Sequence, residues 1–311
     1  MTATFPGGVW SAAPTPFTED MALDTSALAR MVEHHLRLGV SGLFLAGSNG
    51  EGPWLPDRDR ELLIRTVVKC AAGRLPVAVQ VTDNSAPRIL DNMRVAQACG
   101  ADIAIIAPPY MHMNPTAKNL LAQYREAIRA CPLPVGIYDR LAAGSVNVPE
   151  DALKAIYAEE NVVMVKDSSM TPSRREVALA ARKKRPALVL LNGYEFGCVE
   201  YLQAGYDGLL LGGGVFNGYL ANQIMAAVSA GKLALAERLQ RRMNRMMYAV
   251  YGGRQITCWL SGEKKLLCEL GLFTTWKNYL NYPLTPACER AIARLLVTDR
   301  DVLLPGEGPH A

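Results

Sequence analysis

Short apolar runs alternate with amphipathic stretches along most of this 311-residue chain. The runs at residues 9–12, 42–46, 77–81, 103–107, 135–138, 162–165, 188–191 and 208–211 are brief and mostly rich in Val, Ile and Leu, as strands buried on both faces are. Between them, apolar residues recur at helical spacing. In residues 25–38, Leu28, Met31, Val32 and His35 share one face, and Gly39 ends the stretch. Asp57 reads as the cap of a second helix carrying Leu62, Leu63, Thr66 and Val67. Further helices are predicted over 85–99, 116–130 and 149–158, from Pro172 as a first-turn proline, and over 196–204 and 219–230.

A strand followed by a helix, repeated in this way, argues for parallel strands joined by helical crossovers. Eight such pairs over roughly 220 residues fit a closed (β/α)8 TIM barrel, an α/β fold, better than an open doubly wound sheet. The open sheet lacks its fingerprint here, because Gly212-Gly213-Gly214 follows a strand without reading G-x-G-x-x-G. Residues 232–297 show helical faces with no strand between them, one formed by Leu233, Leu235, Leu239, Met243, Met246 and Met247, another by Leu266, Leu267 and Leu270. The expected organisation is a barrel domain over 1–230, a C-terminal helical extension over 231–304, and a fraying tail over 305–311.

Composition narrows the setting. Half of the residues are hydrophobic and 20% are charged, which suits a globular chain. The net charge of +4 is spread over interspersed signs. The densest basic runs, at 182–185 and at Arg241, Arg242 and Arg245, fall in helices without interleaved aromatics, so no nucleic-acid partner is expected. The seven cysteines stand singly, with no C-x-x-C pair, as buried thiols in a reducing compartment do. Residues 1–8 lack the pattern of a signal peptide, and no run reaches the roughly 20 apolar residues of a membrane span, so a cytoplasmic protein is expected. His34, His35, His112 and His310 have no metal-ligand spacing, and no metal site is expected.

In a βα barrel, side chains at the C-terminal strand ends share one mouth. Those positions here hold Ser48 and Asn49, Tyr110, Tyr138, Lys166, residues 192–195 and the triple glycine, with no carboxylate or histidine cluster. Lys166 ends the run Val162-Val163-Met164-Val165. An ammonium at a dry strand end loses hydration, which lowers its pKa and frees a nucleophilic amine. The plainer reading is a lysine that leaves the sheet for water. An amine among hydroxyls points to carbonyl chemistry through an imine, with a phenol or hydroxyl moving protons. Gly47-Ser48-Asn49-Gly50-Glu51 is suited to grip a small carboxylate through backbone N–H groups, or is an ordinary tight turn. Arg140 either meets a second carboxylate or sugar hydroxyls, or pairs with Asp139 or Glu51 and supports the loop.

These motifs, in this order, resemble the dihydrodipicolinate synthase and N-acetylneuraminate lyase superfamily of class I pyruvate-dependent aldolases, from Thr15-Pro16-Phe17 to the helices after the barrel. Residues 47–51 match the family's glycine-bounded turn, Tyr138 its tyrosine after strand five, and Lys166-Asp167 its lysine and acidic neighbour. The resemblance implies that Lys166 forms a Schiff base with pyruvate or another 2-keto acid. Tyr138 would shuttle protons with Ser48, and Ser48, Asn49 and Gly47 would hold the carboxylate. Tyr110, Arg140, Leu210 and Gly212 complete the expected substrate contacts. It also implies no cofactor, an aldehyde or sugar-acid partner substrate, and a homotetramer or homodimer in which the Met-rich helical face finds a use. Two departures stand out. Met111 occupies the place of the synthases' second tyrosine, and Tyr138-Asp139-Arg140-Leu141-Ala142-Ala143-Gly144 lacks their proline and carries its arginine two residues after the tyrosine. Tyr-x-Arg is similar to the keto-deoxyglucarate dehydratases, whereas Gly-Ser-Asn-Gly-Glu is similar to 4-hydroxy-2-oxoglutarate aldolases.

Overall fold

The computed structural model describes residues 5–141 and 146–306. Ala142, Ala143 and Gly144 of the segment after Tyr138, and residues 307–311 of the tail, lie outside the described residues. Eight parallel strands close into a barrel in sequence order: β1 (Gly8–Ala12), β2 (Gly42–Leu45), β3 (Val77–Gln80), β4 (Ile103–Ile106), β5 (Val135–Asp139), β6 (Val162–Asp167), β7 (Val189–Asn192) and β8 (Gly208–Leu211), with β8 returning to pair with β1. The (β/α)8 TIM barrel read from the alternation is the fold observed. Each strand is short because only a few residues cross the barrel wall, and both of its faces are buried. Alternate residues therefore serve two cores. Trp10, Phe44, Ala78, Ile103, Ile105, Met164, Leu191 and Leu210 fill the barrel interior, while Val9, Leu43, Leu45, Val77, Ala104 and Ile106 face the surrounding helices.

The outer ring comprises α1 (Thr25–Arg37), α2 (Asp57–Ala71), α3 (Ala86–Ala98), α4 (Ala117–Ala130), α5 (Glu150–Tyr157), α6 (Pro172–Lys184), α7 (Cys198–Gln203) and α8 (Gly214–Ser229). Local chemistry sets several starts. Asp24 accepts from the Ala27 amide ahead of α1, and Thr116 and Asn119 form a reciprocal capping box at α4. Asp57 does not cap α2 as expected. Pro56 takes the cap position, with no side-chain hydrogen bond, and Asp57 becomes the first helical residue, where its charge favours the helix N-terminus. Helix α8 begins five residues before the position predicted, because the Gly213 carbonyl already accepts from the amides of Phe216 and Asn217. Its glycines masked that start in the sequence.

The C-terminal segment is helical, as expected: α9 (Leu233–Val250), α10 (Trp259–Glu269), α11 (Pro286–Thr298) and α12 (Arg300–Leu303). Helix α9 lies along α8 and α11. Its Met243, Met246 and Met247 are fully buried inside the protomer, so the Met-rich face is not the subunit contact anticipated for it. The chain's own helices cover the methionines of the stripe, while Leu233 at its start is exposed. The basic runs are likewise structural. Arg182 pairs with Asp207, and Arg242 bridges Asp299 and Asp301. All seven cysteines are free thiols, four of them buried and the other three partly so. No helix among the described residues is long and apolar enough to cross a membrane.

Truncating Met246 to Ala should leave a cavity between α9 and its neighbours. The expected cost is about 2–5 kcal/mol, read as a lower denaturant midpoint, with the oligomeric state in sedimentation unchanged. A change of assembly with little loss of stability would return this face to a subunit interface.

Candidate active site

The geometry of the mouth follows from strand period. Met164 of β6 points into the barrel, so Lys166 and Ser168, two and four residues on, point into the space above it. Register places Tyr138 of β5 beside Lys166, with Leu191 of β7 on the other side. The Lys166 Nζ sits 4.1 Å from the centre of the Tyr138 ring and 4.9 Å from that of Phe44. These two rings meet edge to face at 6.0 Å. Gly193, after β7, leaves room for this arrangement. A Cβ there would come within 2.0 Å of the Ser168 Oγ and 3.0 Å of the Lys166 Cε.

Lys166 is only 5% exposed. Burial holds its pKa below the ordinary lysine value, helped by the Arg140 charge and opposed by Tyr138 and Glu195. Burial would raise Tyr138, but Lys166 and Arg140, with the Ser168 and Ser48 hydroxyls, bring it below the ordinary phenol value. Both serine oxygens are themselves buried without a well-formed partner among the described residues. The expectation of an amine held at a dry strand end thus matches the observed burial, and the side chain does not escape to water.

A cavity of about 410 Å³ opens over Lys166, within the range of small-molecule sites. Of the residues expected to contact substrate, Ser48, Asn49, Tyr138, Arg140, Lys166 and Gly212 line it. Gly47, Tyr110 and Leu210 form no part of its wall. Gly47 packs on the Phe44 ring, Leu210 is fully buried one layer below Gly212, and the Tyr110 hydroxyl accepts from the Gln80 side chain at 3.0 Å. Arg140 pairs with neither suggested carboxylate. Asp139 is taken by Arg174 at 2.6 Å, and Glu51 by Lys264, so the Arg140 guanidinium lies over the Tyr138 ring at 5.6 Å.

Several wall residues were given no role in the sequence reading. Ser168 follows Lys166 at strand period, a signal that would have identified it. Glu195 adds a carboxyl among the phenols, fixed by the Gly213 amide at 2.7 Å and the Tyr251 hydroxyl at 2.9 Å. Burial raises its pKa, against those two hydrogen bonds. Tyr251 and Ile256 come from the segment between α9 and α10, and Trp259 from the start of α10, a stretch that no local motif connects to the barrel mouth.

Residues 5–295 match the model of the Dihydrodipicolinate synthetase family. The chain belongs to this family. It is accordingly a lyase of the class I aldolase type. A 4-hydroxy-tetrahydrodipicolinate synthase of Xanthomonas campestris pv. campestris is 31% identical over 204 residues, covering 65% of this chain and 66% of that protein, just under two thirds of its length. The namesake enzyme of Phenylobacterium zucineum is 29% identical over 295 residues, 94% of this chain and 96% of the relative. Among solved structures, dihydrodipicolinate synthase from Bacteroides thetaiotaomicron superposes with a TM-score of 0.85 at 26% identity, over 93% of this chain and 97% of that one.

Because burial lowers the Lys166 pKa, reductive methylation should label it at lower pH than the surface lysines. Tyr138→Phe removes a group that favours the ammonium, so the labelling midpoint of Lys166 should move further down. NMR of isotope-labelled methyl groups reads both midpoints. A Lys166 titrating with the surface lysines would contradict the buried environment.

Proposed function

We propose that this family member cleaves or forms an aldol bond next to a 2-keto acid, pyruvate being the common fragment, through an imine on Lys166. The observation that carries the reading is a nearly dry amine held against a tyrosine whose phenol gives up its proton more readily than a free one. The neutral Nζ attacks the keto carbon C2, and loss of the carbonyl oxygen as water leaves a protonated imine. The Tyr138 phenolate takes the proton of the C4 hydroxyl, with Ser48 beside it as relay. The C3–C4 bond breaks, its electron pair moves through C2 to the imine nitrogen, and an aldehyde departs. Reprotonation of C3 and hydrolysis of the imine release pyruvate and restore Lys166. The substrate carboxylate lies on Ser48 and Asn49, the backbone N–H groups of the turn serving it, with Gly212 as the open wall opposite. No step requires a cofactor.

The far end of the substrate meets Arg140, whose charge has no carboxylate partner among the described residues. An acidic or polyhydroxylated tail suits it. That contact also favours the second reading, a dehydratase of 2-keto-3-deoxy sugar acids, which uses the same imine but expels water in place of an aldehyde. The synthase activity named for the relatives fits less well, since the arginine after β5 stands two residues from Tyr138. The protein is taken to act in the cytoplasm, as a homotetramer or homodimer.

Borohydride with pyruvate should trap an adduct on the peptide bearing Lys166, and Lys166→Ala should abolish both trapping and turnover while the fold persists. An adduct on another lysine would sink the assignment. A panel of 2-keto-3-deoxy acids then separates the two readings by product, pyruvate plus aldehyde or a dehydrated keto acid.

Tyr138→Phe should slow turnover by about 10² to 10⁴ and still allow trapping. Arg140→Ala should raise KM about 10- to 100-fold for substrates with a charged tail, the worth of a charge-assisted hydrogen bond. Efficient condensation of pyruvate with aspartate semialdehyde, indifferent to Arg140, would restore the synthase reading.

A further inference from the structure

Helix α10 sends a second carboxyl towards the barrel mouth. Glu263 is fully buried. Its Oε1 accepts from the Asn49 amide nitrogen at 3.0 Å, and its Oε2 has no partner among the described residues. The adjacent cation is not available to it. Lys264 is committed to Glu51, to the Lys277 carbonyl at 2.9 Å and to the face of Phe17 at 4.3 Å. Glu195 and Glu51 are the other acids near Glu263, and burial together with both of them drives its pKa well upward, against Asn49 and Lys264. A carboxyl so placed is held as the neutral acid.

Asn49 is the residue this acid touches. Its amide nitrogen also reaches the Ala12 carbonyl at 2.9 Å and the Gly212 carbonyl at 3.1 Å. Acceptors from β1, from the end of β8 and from α10 thus hold one NH2 group. Its Oδ1 is left without a partner among the described residues, 3.8 Å from where a Cβ on Gly212 would stand. Fixing the amide fixes the turn that carries Ser48, and with it the part of the cavity wall that Ser48 and Asn49 form.

We propose that Glu263 is a positioning residue whose Oε1 orients Asn49 and so shapes the keto-acid carboxylate site from behind. The inference rests on the reading of the Ser48–Asn49 turn as that site. It predicts that the hydrogen-bonding shape of Glu263 matters and its charge does not. Glu263→Gln keeps an acceptor towards Asn49. Glu263→Met keeps the volume, removes the acceptor, and also removes an orphaned buried polar atom, so it should be no less stable than the parent chain.

The test is the pyruvate concentration that half-saturates borohydride trapping on Lys166, measured beside the thermal midpoint. Glu263→Met should raise that concentration by about tenfold, with the same maximal trapping and an equal or higher thermal midpoint. Glu263→Gln should stay within about twofold of the parent chain. In an Asn49→Ala background the Met substitution should add nothing further. An unchanged half-saturation in Glu263→Met, a Gln variant as impaired as Met, additive effects with Asn49→Ala, or a Met variant that fails to fold would each overturn the proposal. Absence of trapping in the unmodified protein would instead remove the keto-acid reading itself.

Discussion

Everything around the mouth of this barrel answers to one constraint, that a lysine side chain ends inside the protein. A buried ammonium is costly unless it is paired or allowed to become neutral. Lys166 has aromatic faces against it and no carboxylate in contact among the described residues, an arrangement that tolerates the cation weakly and the amine well. Keeping it there depends on the neighbouring strands. Asp167, the next residue, is tied to the Tyr206 hydroxyl at 2.6 Å and to the Ser169 amide at 2.9 Å. Its carbonyl accepts from the Gly193 amide at 2.7 Å, while the Asp139 carbonyl accepts from Ser168 at 2.8 Å. The strand end cannot rotate Lys166 outward without breaking this set of bonds.

The turn after β2 is held from the opposite direction. Ala46 and Glu51 both adopt left-handed backbone angles, at φ 53 and 56, a conformation unfavourable for residues with a Cβ. Glu51 stays there because its carboxylate meets Lys264 and accepts from the Tyr279 amide at 2.6 Å. Both partners belong to the C-terminal segment. The helices after the barrel therefore back the cavity wall, and a barrel cut at residue 230 would lose the groups that hold the turn after β2.

This explains what was legible in the sequence and what was not. Alternation of apolar runs reports local burial, and it located all eight strands and the order of the helices. Strand-end position reports which side chains converge, and it identified Lys166, Tyr138, Ser48 and Asn49 as neighbours. It failed where proximity comes from tertiary packing alone. Glu263, Lys264, Tyr251 and Trp259 sit in helical or turn sequence with nothing local to mark them, and the Met-rich face of α9 looks the same whether another helix or another subunit covers it. Tyr110 shows the limit of reading strand ends, since its loop carries the ring away towards Gln80.

Charge placement gives the last step. Behind the wall three of the acids have a partner, and Glu263 is pushed towards its neutral form. Asp139 meets Arg174, Glu51 meets Lys264, and Asp167 accepts from Tyr206. Glu195, the carboxyl that faces the cavity, is pushed towards its neutral form by burial. What remains uncompensated at the mouth is cationic, Arg140 at the rim and Lys166 at the floor when it carries its proton. A low-dielectric cleft focuses such a field, which draws in an anionic substrate. Once an anion is bound near Arg140, part of the field that disfavours the Lys166 ammonium is cancelled. Under the proposed imine mechanism, the neutral amine would be most available in the empty site, and the bound carboxylate would favour the protonated imine once it has formed.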